Sequence, residues 1–281
     1  MKLTSIQAGY FKLDGGAMFG IVPKQLWSRK IKADNNNMCS WCMRCLLIQT
    51  GDRNILVDTG MGDKQDEKFR SHFEPHGPYN LLGSLQEQGV KAEDITDVFI
   101  THLHFDHVGG AVSRNKSGKL VPTFPNAKYW MHQKHYDWAI EPNMREKASF
   151  LKENFVPLAE EGVAEFLDFK DRMQWHDGIE IRLSHGHTSH MMHLLIPYKG
   201  TKLVYCADLM PSKHHIGLPY IMSYDIQPLV TLEEKTEFLG EALEKQYLLY
   251  YEHDLDTEIG LLDRNDRGRI IQGQSLTLAD L

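Results

Sequence analysis

Four side chains that bind metal ions well stand within six residues of this chain. They are His102, His104, Asp106 and His107. The apolar, β-branched stretch 97–101 comes directly before them and predicts a short buried strand whose end delivers the ligands. Side chains two apart share a face of a strand, so His102 and His104 can hold one ion, whereas Asp106 and His107 require a turn. Imidazole and carboxylate ligands together suit zinc, iron, manganese or cobalt.

Three further apolar stretches are each followed by a histidine or a carboxylate. In chain order these residues are His187, Asp208 and His253. Such side chains are costly to bury unless they are paired or coordinated, so packing alone explains four strand ends of this kind poorly. The pattern therefore predicts a metal site assembled from several strands and disfavours a merely solvated polar loop.

In this order the motifs resemble those of the metallo-β-lactamase superfamily of metal-dependent hydrolases. The resemblance rests on the cluster at 102–107, on Gly186-His187-Thr188, on Asp208 and on His253. The stretch Val57-Asp58-Thr59-Gly60 also looks like an early structural motif of that superfamily.

The resemblance implies a site for two divalent metal ions, with zinc as the expected metal. One ion would be bound by His102, His104 and His187, the second by Asp106, His107 and His253, and Asp208 would bridge them. Ions in such a site lie about 3.5 to 4 Å apart, and a water or hydroxide between them acts as a nucleophile at neutral pH.

The implied fold is an α/β protein in a four-layer αββα sandwich, with the metals at the strand ends along one edge of the two sheets. Alternating predicted strands and helices suit a mixed α/β layer fold. A length of 281 residues with 42% hydrophobic content favours a single domain over residues 1–281.

Within that superfamily the segments 14–27 and 207–212 look most like the quorum-quenching N-acyl-homoserine lactonases. This implies opening of a lactone by the bridging hydroxide, with Asp106 as both a ligand and the acid that passes a proton to the leaving alkoxide. Those lactonases carry a tyrosine three residues after the bridging aspartate, where this chain has Pro211. Tyr220 and Tyr224 therefore become candidates for a phenol that assists the leaving group.

Other reactions stay open at the same site. A more distant likeness to methyl parathion hydrolase makes a phosphotriesterase or a carboxylesterase an alternative. An iron-dependent oxygenase or redox protein on the same scaffold is a further one, although its usual versions use one iron or replace a histidine of the first cluster. The aromatic segment around Met18, Phe19 and Trp27 suits an acyl pocket, a dimer contact or plain core.

Composition limits the partners that we expect. The net charge of −7 argues against nucleic acid and against an anionic membrane surface. With no apolar signal segment and no run of about 18 apolar residues, a cytoplasmic protein that acts on a small-molecule ester or lactone is expected. Similar lactonases are often dimers, so a homodimer is a further expectation. Cys39, Cys42 and Cys45 follow C-x-x-C spacing, but buried free thiols are favoured over a zinc knuckle.

The predicted elements alternate along the chain. Strands are expected at 4–11, 44–49, 54–58 and 127–132, and helices at 81–88, 133–140, 144–154 and 157–161. Thr231 and Glu234 form a capping-box pattern that predicts a helix from Thr231 to about Gln246. His190 and His193 are expected at the surface or behind the metal ligands.

Overall fold

A computed structural model describes residues 1–281 and contains fifteen strands and eight helices. The strands are β1 Lys2–Asp14, β2 Met38–Thr50, β3 Arg53–Val57, β4 Asp97–Phe99, β5 Val112–Arg114, β6 Leu120–Pro122, β7 Lys128–His132, β8 Ala164–Leu167, β9 Arg172–Gln174, β10 Glu180–Ser184, β11 Met191–Tyr198, β12 Thr201–Tyr205, β13 Leu248–Tyr250, β14 Ile259–Arg264 and β15 Ile270–Leu276. The helices are α1 Gly15–Phe19, α2 Lys24–Trp27, α3 Glu67–Phe73, α4 Leu81–Glu87, α5 Phe105–Val108, α6 Gln133–Ile140, α7 Val156–Glu160 and α8 Pro228–Glu244.

The chain forms two compact units. The first contains Met1–Phe11 and Cys42–Phe169, and the second contains Lys12–Trp41 and Lys170–Leu281. Because these units are built from interleaved segments, the single domain predicted for residues 1–281 stays a prediction. None of the helices combines the length and the apolar character that a bilayer-spanning segment needs.

The sheet of the first unit has the strand order β1-β2-β3-β4-β7-β8. From β3 to β8 its neighbours pair in parallel, with Val57 opposite Phe99 and Phe99 opposite Trp130. Parallel pairing brings the carboxyl ends of β3 and β4 to the same edge of the sheet. The residues that follow these two strands, Asp58 and Thr101, therefore leave the sheet side by side.

Apolar side chains from this sheet and from its helices form the core of the first unit. Leu56 and Val98 on the strands and Leu85 on α4 are fully buried there. All three residues of β4 are buried, which is typical of a strand covered on both faces. The metal-ligand segment thus follows the most enclosed strand of the sheet.

The sheet of the second unit has the strand order β15-β14-β13-β12-β11-β10-β9. Its strands pair antiparallel except β12 and β13, which run in parallel with Tyr205 opposite Tyr250. Because β11 is antiparallel to both β10 and β12, these two strands run in the same direction. The three predicted ligands of this unit therefore follow strand ends at one edge of one sheet.

Of the predicted helices, one was confirmed to the residue and another was wrong because a side chain bonds to the nearby backbone. The predicted helix 133–140 is α6, with the same bounds. The predicted helix 144–154 is wrong, because the Asn143 side chain binds the amides of Arg145 and Glu146 and only a 3₁₀ turn forms at Lys152–Asn154.

The start predicted for the last helix is also wrong. α8 begins at Pro228, a favoured first helical residue, and ends at Glu244. Thr231 therefore lies inside the helix, where its Oγ1 donates to the Gln227 carbonyl at 3.4 Å. Glu234 does not close a capping box but reaches two amides of another loop, as described below.

Candidate metal centre

The first unit gathers four of the predicted ligands in the loop and short helix α5 that follow β4. The His102 ring centroid lies 4.6 Å from that of His104 and 3.9 Å from that of His107. The His107 Nε2 atom is 3.6 Å from a carboxylate oxygen of Asp106. All four residues are at most 7% exposed. The turn that the spacing required is α5, so these four residues are brought together as predicted.

Asp58 and Thr101 orient two of these histidines. A carboxylate oxygen of Asp58 lies 3.1 Å from His107 Nδ1, and Asp58 also accepts from the Thr101 amide at 2.8 Å and from its hydroxyl at 2.7 Å. The Thr101 hydroxyl is 3.0 Å from His102 Nδ1. With each Nδ1 engaged, the Nε2 atoms are the ones presented as ligands.

His104 differs from these two histidines, because its Nε2 atom and not its Nδ1 atom lies near another side chain. Its Nε2 atom lies 3.6 Å from a carboxylate oxygen of Glu146, a side chain that is 3% exposed. The other oxygen of Glu146 accepts from Trp138 Nε1 at 2.8 Å and from Asn143 Nδ2. This contact leaves Nδ1 as the ligand atom of His104. Nothing in the local sequence marks Glu146, which lies far along the chain from the histidines.

The second unit brings the other three predicted ligands together. One carboxylate oxygen of Asp208 lies 3.2 Å from His187 Nε2, and its other oxygen lies 3.1 Å from His253 Nε2. All three side chains are buried. A carboxylate whose two oxygens face two different histidines has the arrangement that a ligand shared by two metal ions needs.

His187 is oriented by residues that sequence reasoning missed. Its Nδ1 atom lies 2.8 Å from the buried carboxylate of Asp225. The Glu234 carboxylate on α8 accepts from the amides of His185 and Gly186 at 2.6 and 3.1 Å, and burial raises its pKa. A Cβ atom on Gly186 would collide with Thr231 of the same helix, so only glycine allows this close approach.

The other histidines and tyrosines that were considered in the second unit differ in burial and in their contacts. His193 is not at the surface: it is buried on β11, its Nε2 lies 2.7 Å from the Ser184 hydroxyl, and burial lowers its pKa to about 3. His190 is half-buried with its ring against His185. Tyr220 packs edge-on against Phe19, whereas Tyr224 is 37% exposed directly before Asp225.

The segment for which an acyl pocket, a dimer contact or core was expected is core. Met18, Phe19 and Trp27 are all buried. The Phe19 ring stacks on Trp27 at 5.5 Å and on His215 at 5.0 Å. His215 is itself anchored, because its Nε2 lies 2.9 Å from the Met18 carbonyl and its Nδ1 lies 2.8 Å from the Ser212 hydroxyl. This cluster steadies the segment that follows Asp208.

The donor set of each unit fits divalent transition metals. Buried imidazoles whose second nitrogen is held by a carboxylate or a hydroxyl, with carboxylates at hydrogen-bond distance, are the ligands that zinc and similar ions prefer. The residues present in both units therefore fit such ions in ligand type, burial and orientation.

Comparisons with known proteins agree with this donor set. The family model described as metallo-beta-lactamase superfamily matches residues 44–235. The N-acyl homoserine lactonase of Bacillus cereus is 25% identical over 122 residues, which cover 40% of this chain and 48% of that protein. The chain thus matches about half the length of that curated relative.

Solved structures match over nearly the whole chain. A probable metal-dependent hydrolase from Staphylococcus aureus is 28% identical, with a TM-score of 0.86 over 98% of both chains. AidC, a dizinc quorum-quenching lactonase in complex with a product, is 23% identical, with a TM-score of 0.79 over 98% of this chain and 95% of that one. The second likeness shows the fold alone, and the predicted fold class is confirmed. The chain belongs to the metallo-β-lactamase superfamily.

Proposed function

We propose that this protein is a metal-dependent hydrolase that opens lactones of the N-acyl-homoserine type with a dinuclear metal site. The observation that carries the proposal is the Asp208 carboxylate, whose two oxygens face His187 and His253 at 3.2 and 3.1 Å. In the proposed site one ion is held by His102, His104 and His187, the other by Asp106, His107 and His253, and both by Asp208. Zinc is the proposed metal, in keeping with the dizinc lactonase that shares the fold.

Two divalent ions held by these residues would supply a water activated at neutral pH and would offset the negative charge that develops on the carbonyl oxygen. The chain's own residues then carry the proton. Asp106 is 7% exposed and lies beside His107, so its carboxylate can take up the proton that the attacking water releases and hand it to the ring oxygen as the ester bond breaks. Tyr224 is the proposed phenol at the leaving group, since Tyr220 packs against Phe19.

An aromatic wall beside the metal ligands favours a substrate with an acyl chain. Phe105 stands between His104 and Asp106, and its ring centroid lies 4.3 Å from Phe73 and 5.2 Å from Phe69 of α3. Phe69 and Phe73 are partly exposed, so this wall offers apolar surface to a ligand. A chain of methylene groups gains free energy against such a surface, which a compact ester without a tail does not use.

A substrate panel tests the reaction class. Protein loaded with zinc is given an N-acyl-homoserine lactone, an aryl ester and an aryl phosphotriester, and turnover of each is followed together with metal content by mass spectrometry. The lactone is expected to show the highest kcat/KM. A protein with two ions per chain that turns over the phosphotriester but leaves the lactone intact contradicts the proposed substrate.

Replacement of the proposed bridge tests the site. Asp208→Ala is expected to abolish turnover of every substrate and to lower the metal content below two ions per chain, because both ions lose a ligand. Asp266→Ala, at an exposed hairpin turn, is the matched control and should keep wild-type rates. Wild-type turnover by Asp208→Ala would reject the assignment of Asp208 as the bridge.

A further inference from the structure

A cavity of about 710 Å³ lies within the first unit, and none of the seven proposed metal ligands lines it. Its walls come from β1, from the loop after β3, from α3 and the segment after it, and from β5. This volume is within the range of small-molecule pockets in proteins. The hydrolytic site therefore does not account for it.

Three cationic side chains line this cavity against one acidic side chain. The cations are Lys64, Arg70 and Arg114, and the only carboxylate of the lining is that of Asp63. Arg114 is paired with Glu153 at 3.3 Å. Lys64 and Arg70, by contrast, have no carboxylate within ion-pair distance and donate only to backbone carbonyls, of Gly109 and Gly62 respectively.

Lys64 is the more unusual of these two cations, because the residue is buried, with 9% of its surface exposed. Burial lowers its pKa to about 8, which still leaves most of the ammonium charged at pH 7. A buried charge is costly, and the Gly109 carbonyl together with the Glu153 and Asp63 carboxylates, which lie beyond ion-pair distance, offsets only part of that cost. An anion in the cavity would supply the missing partner, with the Arg70 guanidinium as a second donor.

Another part of the cavity lining is aromatic. The Tyr10 ring meets Tyr79 edge-on, with centroids 5.8 Å apart, and lies 5.8 Å from the ring of His76. The β1 backbone holds this wall in place, since Tyr10 and His76 exchange two backbone hydrogen bonds of 3.2 and 2.8 Å. Aromatic surfaces of this kind pack well against a flat apolar body.

The floor of the cavity is joined to the backbone of His107. Gly62 lies so close to Gly109 that an added Cβ atom would come within 2.8 Å of the Gly109 carbonyl. Thr59, which also lines the cavity, donates its amide and its hydroxyl to the His107 carbonyl at 2.7 and 2.8 Å. A ligand in the cavity would therefore contact residues that fix the position of a metal-ligand segment.

We propose that this cavity binds a small organic anion, whose carboxylate or phosphate group is held by Lys64 and Arg70 and whose apolar body packs on Tyr10 and Tyr79. The site is independent of the hydrolytic one: it uses no metal ligand and does not depend on which substrate the metal centre turns over.

Calorimetric titration of the metal-loaded protein tests this site with three probes of similar size. Benzoate and phenyl phosphate carry the anionic group on an aromatic ring, and benzamide is the neutral control. At least one of the two anions is expected to bind with a dissociation constant below about 1 mM. Benzamide is expected to bind at least tenfold more weakly. The better of the two anions identifies the head group.

Variants separate this cavity from the metal centre, which can also bind anions. Arg70→Gln and Lys64→Met should each weaken anion binding at least tenfold, whereas Asp208→Asn and the exposed control Arg267→Gln should leave it unchanged. If Lys64→Met fails to fold, Arg70→Gln alone decides, because Arg70 is half-exposed on α3. Binding that Asp208→Asn removes and Arg70→Gln leaves intact belongs to the metals and overturns the proposal. Equal affinity for benzamide, or no binding by either anion, overturns it as well.

Discussion

His107 and His187 follow different strands but are held in the same way. Each presents Nε2 because its Nδ1 lies close to a buried carboxylate, that of Asp58 at 3.1 Å and that of Asp225 at 2.8 Å. A carboxylate behind a ligand imidazole fixes the ring and raises the basicity of the coordinating nitrogen. At the scale of single residues, we therefore expect the metal affinity of the proposed site to depend on side chains that lie behind the proposed ligands.

Removal of one such carboxylate should weaken metal binding without removing a ligand. Asp225→Ala is expected to lower zinc affinity by roughly 10- to 100-fold, measured by competition with a chromogenic chelator. Asp266→Ala, which is exposed and distant in sequence, serves as the control. Zinc affinity in Asp225→Ala equal to that of the wild type would show that Asp225 does not orient His187.

The aromatic wall is tested at the same scale. Phe73→Ala removes the partly exposed ring whose centroid lies 4.3 Å from Phe105. We expect kcat/KM for a decanoyl lactone to fall roughly tenfold relative to a butanoyl lactone, which corresponds to about 1.4 kcal/mol of lost apolar contact. Leu82→Ala, an exposed apolar residue on α4, is the control. An unchanged chain-length preference in Phe73→Ala would place the acyl group elsewhere.

At the scale of elements, α8 braces two loops of the second unit. Glu234 binds the amides before His187, and the next residue, Lys235, donates from Nζ to the carbonyls of Gly217 and Tyr220 at 2.9 and 2.8 Å. Neighbouring residues of one helix thus hold both the loop of His187 and the loop that leads to Asp225.

The buried lysine of α8 gives this brace a measurable pH dependence. Burial lowers the pKa of Lys235 to about 7 from an ordinary 10.5. Between these values the unfolded chain binds a proton that the folded chain lacks, so the free energy of unfolding rises with pH by up to about 1.4 kcal/mol per unit from this group. Lys235→Met should lose that contribution in urea unfolding at pH 7, 8 and 9.

The exposed Lys116→Met is the control for this measurement and should keep the wild-type slope. If the stability of Lys235→Met rises with pH as steeply as that of the wild type, the lowered pKa of Lys235 is contradicted. In that case Lys235 keeps an ordinary pKa in the folded chain.

At the scale of the whole molecule, the proposed ligands come from both units, so metal ions should stabilise the folded chain as a whole. A ligand that binds only the native state adds about 2.7 kcal/mol at a free concentration of 100 times its dissociation constant. We expect chelation to lower Tm by several degrees, as followed by calorimetry, and added zinc to restore it.

His102→Ala is the comparison for the chelation experiment, because a protein that has lost one proposed ligand should respond less to zinc. The effect should also fade as the pH falls below about 6, where ligand imidazoles take up protons. If chelation leaves Tm of the wild type unchanged, the units do not share bound ions.

The sequence by itself determined the set of residues that we propose as metal ligands. The spacing of His102, His104, Asp106 and His107 after an apolar strand predicted a cluster that the structure brings together, and the helix at 133–140 was predicted to the residue. Both rest on local geometry, since strand parity and helical periodicity relate residues that are close in sequence.

Only the tertiary structure decided what holds those residues in place. Asp58 lies 49 residues from His107, and Asp225 lies 38 residues from His187. Glu234 accepts a hydrogen bond from the amide of His185, which is 49 residues away. The local sequence predicts that Glu234 caps its own helix, because a short motif contains no information about partners that are distant in the chain. Burial then decides between the local bond and the distant one: an amide left without a partner in the interior costs more than a helix cap contributes.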